Sequence, residues 1–238
     1  MGDTVSGSGE MVVGGETLTV SFTVPAGACD SRALLPDVRR LTEQVTAKAE
    51  ARAAEAGRAV SCRVGCHACC RHVVSISTAE ARRIAELVDA QPPERADQLR
   101  RRFETVRQHM QQAAPRPEAK AGARAEIAFA LAWFRQHLDC PFLEDGACSI
   151  YADRPISCRE YLVTSSPEGC ETLDPEVVQP LTRAVSVANA LAWTTGPGRD
   201  SWMPLTDALA YVAGNPAPLE RSGPEWALSF FENLKDAG

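Results

Sequence analysis

Seven cysteines fall in two dense stretches, CRVGCHACC over residues 62–70 and CPFLEDGACSIYADRPISC over residues 140–158. A chain of 238 residues can bury an apolar core without covalent staples. The total of nine cysteines is odd and fits poorly with a complete disulfide framework. Clustered thiols in a reducing compartment point instead to metal binding or catalysis. Whatever fold forms must bring sulfur-bearing segments about 70 residues apart in sequence to one place.

Within the first stretch, Cys62, Cys66, Cys69 and Cys70 stand at i, i+4, i+7 and i+8, which one uninterrupted helix would present on a single face. Gly65 weakens such a helix, and the Cys66-x-x-Cys69 spacing fits a chelating turn better. In the second stretch Cys140, Cys148 and Cys158 are too widely spaced to share a helix face. Glu144-Asp145-Gly146 is a turn signal that lets Cys140 and Cys148 face each other across a loop or short hairpin. Pro155 can open a short helix with Cys158 in its first turn, where the helix N-terminus favours the thiolate.

So many thiolates repel unless cations neutralise them. Arg63, Arg71, Arg154 and Arg159 lie beside the cysteines in a chain whose formal net charge is -6; as a group they are placed to hydrogen-bond sulfur or to bind an anion. Adjacent side chains diverge, so Cys69 and Cys70 do not easily serve one tetrahedral ion, and one of them is free for a second metal or a bridge. An all-sulfur set suits structural zinc or an iron–sulfur cluster. Seven ligands where four suffice favour the cluster or a multinuclear site. His67 and His72 read as exposed or supporting histidines, and His109 and His137 as partly exposed residues of helical stretches. Cys170 could complete the site from the following loop. Cys29 reads as an isolated thiol, and Trp133, Trp193, Trp202 and Trp226 as packing residues.

The rest of the chain reads as mainly α. Residues 16–24 alternate strictly and predict a half-buried strand, with Gly14-Gly15 turning a hairpin from residues 11–13. Val38, Leu41, Val45 and Ala49 mark a helix closed by Gly57. Ser77 and Glu80 form a capping box ahead of Ala81, Ile84, Leu87 and Val88. Ala96, Leu99, Phe103, Val106 and Met110 mark the next helix, and residues 112–123 an exposed loop. Ile127, Leu131, Phe134 and Leu138 predict one face of a further helix. Asp174-Pro175 is expected to open a long helix through Val178, Leu181, Val185, Ala188 and Ala192, with shorter helices over 204–213 and 224–235. The expected architecture is therefore a helical domain organised around a cysteine-rich metal site in irregular loops, with a small N-terminal β-hairpin. The divisions are an N-terminal β element at 1–31, a helix at 32–61, the metal-chelating module at 62–170 and a C-terminal helical region at 171–238, one globular unit from 32 onward.

The run Cys-x3-Cys-x2-Cys-Cys followed by C-P-F-L-x4-C-x-I-Y-x2-R-P-x2-C-R-x-Y resembles the bacterial cysteine-cluster family of zinc- or iron-chelating proteins. The matching positions include all seven clustered cysteines together with Arg154, Arg159 and Tyr161. The resemblance implies a metal held by Cys62, Cys66, Cys69, Cys70, Cys140, Cys148 and Cys158, with Arg154, Arg159 and Tyr161 as cofactor contacts at matched positions; Arg63 and Arg71 are added as cofactor contacts from their place beside the cysteines. The module is also similar to flagellin lysine methylase, which implies an iron–sulfur cluster assisting methyl transfer. No strand followed by a glycine-rich loop marks a nucleotide site, so any enzyme chemistry would be redox or group transfer run by the cluster. The other reading is a structural zinc clamping a scaffold for a protein client. The acidic balance argues against nucleic-acid binding. The lack of a signal or spanning segment suggests a cytoplasmic protein with no membrane partner.

Overall fold

The computed structural model describes residues 2–113, 116–117, 122–174, 176–198 and 201–238. It is mainly helical, with a small N-terminal antiparallel sheet, as expected. Strands β1 (Thr4–Val13) and β2 (Glu16–Pro25) form the hairpin. Gly14 and Gly15, both at positive φ (57° and 80°), make the two-residue turn between Val13 and Glu16. The hairpin is longer than the alternation predicted, because β1 is exposed along most of its length and shows no apolar period. Leu18, Val20, Phe22 and Val24 point inward from β2.

The chain then runs through β3 (Ala28–Asp30), α1 (Leu35–Glu55), β4 (Ser75–Ile76), α2 (Thr78–Asp89), α3 (Pro93–Ala113) and α4 (Ala123–Phe134). Next come the short hairpin β5 (Leu143–Glu144) and β6 (Ala147–Cys148), α5 (Ile156–Glu160), α6 (Val187–Thr195), β7 (Met203–Pro204), α7 (Ala208–Gly214), β8 (Glu220–Ser222) and α8 (Gly223–Lys235). β3 pairs with β8, and β4 with β7. Two cores hold these elements. In the first, β2 packs against α1, α6 and α8 through residues such as Val38, Leu191, Trp226 and Phe230. In the second, Ile84 and Val88 of α2 meet Leu99 and Phe103 of α3, Phe142 and Leu205. Each fully buried aliphatic or aromatic side chain contributes about 1.5–3 kcal/mol. Among the described residues no helix is long and apolar enough to cross a membrane.

Local signals were realised where they were strongest. Ser77 and Glu80 form the reciprocal capping box of α2, and Ser222 with Glu225 repeats it at α8. Two expectations fail. Residues 176–186 are not helical: α6 starts only at Val187, capped by Ser186. Pro180 removes a helix donor, and the segment instead runs antiparallel to residues 162–164, with Thr164 N–H donating to Gln179 O (2.9 Å) and Leu181 N–H to Leu162 O (2.8 Å). Leu181 and Val185 are buried in this extended form, and Pro175 lies outside the described residues. On α4 the buried face carries Phe129 and Trp133, while Ile127 is 61% exposed and Leu131 36%. The larger aromatic pair takes the interior against Met110 and Trp202, and the helix stops at Phe134, before Leu138. Of the loop expected over 112–123, residues 112–113 complete α3, and residues 114–115 and 118–121 lie outside the described residues.

The β1–β2 turn also makes a close approach. A Cβ on Gly14 would lie 2.3 Å from the Ala184 carbonyl oxygen, whereas one on Gly15 meets nothing within 4 Å. Both substitutions strain a positive φ, so Gly15→Ala should cost about 1–2 kcal/mol. Gly14→Ala should cost about 1–3 kcal/mol more. Denaturant midpoints of the two variants, measured side by side, check the ordering.

Candidate metal centre

The first cysteine segment is a succession of tight turns between α1 and β4, with Gly65 at φ 87°. Cys66 N–H closes on Arg63 O (3.0 Å) and Cys70 N–H on His67 O (2.9 Å). The helix alternative for this stretch is not adopted. The second segment arrives after α2, α3 and α4, and its backbone docks directly on the first: Cys140 N–H donates to Cys70 O at 2.8 Å. Asp145 and Gly146, both at positive φ (48° and 74°), form the two-residue turn that sets Leu143 opposite Cys148. Cys158 sits in the middle of the five-residue α5, opened after Pro155.

Two buried carboxylates fix α5. Glu80 of the α2 capping box reaches past its own helix and accepts the Ile156 N–H at 2.7 Å, at the start of α5. Glu160, the last residue of α5, accepts the Val187 N–H at 2.6 Å, at the start of α6. Helix N-termini favour carboxylates there, although burial raises the pKa of both groups. The helix bearing Cys158 is thus pinned at each end, from α2 on one side and by α6 on the other.

All nine cysteines are free thiols. The electrostatics place the seven clustered cysteines, together with Cys170, in one neighbourhood. Burial lifts Cys140 to about 12, with Cys148 and Cys69 adding to the rise. Burial raises Cys158 well above its ordinary value, helped by Cys140, Cys69 and Cys148. The Cys69 thiol is raised first by its hydrogen bond with Cys70 and then by burial. Among the described residues no three Cys, His, Asp or Glu side chains stand in ready-made ligating geometry; the sulfurs are gathered without converging on one point. The chemistry of the donor set nonetheless fits a soft metal. Backbone N–H groups point at sulfur from Val163 to Cys62 (3.4 Å), from Phe142 to Cys140 and from Ile150 to Cys148. Such bonds favour thiolates and tune thiolate-bound metals.

The expected arginines divide. Arg154 lies where its charge favours the thiolates of Cys62, Cys69 and Cys148, and its Nε is buried without a hydrogen-bond partner. Arg159 turns to backbone instead, donating to Arg154 O at 3.1 Å and to Ala152 O, and pairs with Glu43 at 3.5 Å. Arg71 forms an exposed ion pair with Asp139 at 2.8 Å, and Arg63 is exposed. Tyr161 hydrogen-bonds the Cys170 thiol. His72 Nε2 meets the Cys170 carbonyl at 2.8 Å, so the neutral ring donates there, and burial lowers its pKa. His67 is exposed beside Gly146. Cys29 lies in β3, opposite Arg221 of β8, and its charged neighbours are Asp30 and Glu220 rather than the clustered thiols.

Two members of the neighbourhood carried weak sequence signals or none. Cys170 is buried, is raised to about 11 by burial, and feels Cys69, Cys62 and Cys66. Arg102 of α3 favours the Cys140 thiolate. Spacing could only hint at Cys170, and Arg102 is one arginine among several on its helix.

A cavity of about 290 Å³ opens beside the sulfurs, lined by Cys69, Cys158, His72, Tyr161, Ser157 and Arg183 among others. Neither a curated protein nor a solved structure matches the chain. Residues 61–175, just under half of the chain, match the CxxCxxCC family model, described as a "putative zinc- or iron-chelating domain", and the cysteine-rich part of this protein is similar to that metal-chelating domain.

Proposed function

We propose that residues 62–170 form a thiolate metal site holding zinc or an iron–sulfur cluster through Cys62, Cys66, Cys69, Cys70, Cys140, Cys148 and Cys158, with the segments 1–31, 32–61 and 171–238 as its scaffold. The observation that carries this reading is the docking of two distant cysteine segments on each other, Cys140 N–H on Cys70 O at 2.8 Å, with sulfur-directed N–H groups around them. Bound zinc supplies a Lewis acid and an iron–sulfur cluster an electron carrier. The chain's own part is to lower the cost of the thiolates through Arg154 and Arg102 and to exclude bulk water by packing Cys140 and Cys148 against the second core. It also leaves one side open, where the cavity reaches Cys69 and Cys158. A sealed structural clamp has no use for that opening. Redox or group-transfer chemistry on a small molecule or on a side chain of a protein client does, and protein lysine methylation is the instance implied by the methylase resemblance. A purely structural zinc is the second reading, favoured by the placement of α5: Ile156 lies in the first core, while Cys140 and Cys148 pack on the second.

Purification without air, followed by elemental analysis and an absorption spectrum, tests this. Iron with a broad band near about 400 nm supports the cluster, and colourless protein with stoichiometric zinc supports zinc. Protein that takes up neither overturns the proposal. Affinity should also depend on pH. The thiol pKa values are raised in the metal-free chain, so binding expels protons, and apparent affinity should climb as pH rises. The gain is roughly tenfold per pH unit for each proton displaced. Zinc titrations between about pH 6 and pH 8 measure it, and a flat profile contradicts thiol ligation.

A further inference from the structure

We infer that the outer edge of β1 is a docking surface for a second copy of this chain, the two β1 strands pairing antiparallel about a two-fold axis at Ser8 to form a four-stranded sheet β2–β1–β1–β2. The inference is independent of the metal reading and goes beyond it.

The two edges of the hairpin are treated differently. The register from Thr4↔Pro25 to Val13↔Glu16, with the bond from Ala26 N–H to Asp3 O at 2.8 Å, sets the alternation. Odd-numbered residues of β1 exchange main-chain bonds with even-numbered residues of β2, and the remaining main-chain groups of each strand turn outward. On β2 the outward groups are covered by α1. Gln44 takes both groups of Thr19, accepting its N–H at 2.8 Å and donating to its carbonyl at 3.0 Å, and the buried Asp37 accepts the Thr23 N–H at 2.7 Å. On β1 the outward groups belong to Thr4, Ser6, Ser8, Glu10 and Val12, all exposed. Among the described residues, none of them meets a side chain or a third strand. Native sheets blunt such edges with proline, lysine or a bulge. β1 has none of these, and Glu10 is its one charge.

One register makes the strand complementary to itself. With Ser8 opposite the partner's Ser8, Ser6 faces the partner's Glu10, Gly7 the partner's Gly9 and Val5 the partner's Met11. The even-numbered residues then form the hydrogen-bonded pairs, as their outward groups require. On the solvent face the lone carboxylate meets a hydroxyl rather than its own copy. On the inner face Val5 is 46% exposed although Val24 opposite it is 2% exposed, so the core stops short of this end of β1. The partner's Met11, itself half-buried, covers it. A two-fold at Gly7 would set Asp3 against Met11, one at Gly9 would run Thr4 onto the Gly14 turn, and one at Glu10 would oppose two carboxylates. The pair makes about ten main-chain hydrogen bonds over roughly 30 Å. A single pair of edges is narrower than a standard interface of about 800 Å² per partner, so the dimer should form and dissociate with concentration.

The test is mass in solution, by light scattering and sedimentation of reduced full-length protein from about 10 μM to about 1 mM. The parent should pass from monomer to dimer. Ser8→Pro removes an N–H that only the dimer uses and is tolerated on an edge strand, so it should stay monomeric with the parent's circular dichroism and Tm. Ser8→Lys sets two ammonium groups opposite each other and should weaken the dimer at least about tenfold at low salt, with recovery at high salt. Ser6→Lys faces the partner's Glu10 and should tighten it roughly threefold or more. A parent that stays monomeric at the highest concentration, including one that gains mass only with an added extended peptide, overturns the second copy as occupant. A folded Ser8→Pro that dimerises like the parent overturns the edge, and equal effects of the two lysines overturn the register. If Ser8→Pro does not fold, the lysine variants decide.

Discussion

Cys158→Ser should lose the bound metal and unfold at a markedly lower temperature than the parent. The side chain sits on a helix held at both ends by buried carboxylates, so serine would be fixed among the other sulfurs and could not be replaced by a neighbouring thiol. A structural zinc site contributes on the order of 10 kcal/mol of apparent folding energy. If only half of that is lost, a domain of this size falls by roughly 10–20 °C in Tm. The comparison is made twice, with metal and after chelation. The difference between variant and parent should be large in the first and nearly vanish in the second. Cys29→Ser, whose thiol stands apart on β3, should behave as the parent in both. Equal metal content and equal Tm for Cys158→Ser would remove the second cysteine segment from the site.

Glu80→Ala carries the second large effect. Its carboxylate accepts from Ser77 N–H and Oγ, both at 2.8 Å, and from Ile156 N–H at 2.7 Å, all buried. Removing it takes away half of a capping box and strands two buried donors. At about 1 kcal/mol for the cap and about 1–3 kcal/mol for each of the two orphaned N–H groups, the loss should reach about 3–7 kcal/mol. Glu80→Gln keeps one acceptor oxygen and should lose less. Denaturant unfolding of the metal-free proteins isolates this term, and zinc affinity should fall with Glu80→Ala because α5 is no longer held. A change below about 1 kcal/mol would mean that the carboxylate holds neither helix.

How far this could be read from the sequence depended on how local each cause was. The capping box at Ser77, the Asp145-Gly146 turn and the short helix after Pro155 are decided within a few residues, and they stand where the spacing placed them. The gathering of the two cysteine segments was legible because so many thiols have few other uses. What escaped depended on distant partners. Residues 176–186 carry apolar residues at helical spacing, yet Pro180 and the waiting backbone of 162–164 made an extended pairing. On α4 two stripes competed, and Met110 and Trp202 chose the aromatic one. The second role of Glu80 was invisible because its other partner is the amide of Ile156, far along the chain.

The backbone bond from Cys140 to Cys70 also orders events during synthesis. Cys158 follows Cys70 by about 90 residues, which a ribosome adding about 5–20 residues per second needs roughly 5–20 s to produce. Through that interval the four early sulfurs are outside the tunnel, or leaving it, with their later companions not yet made, so under the proposed metal reading a complete coordination sphere could be loaded only on the finished chain.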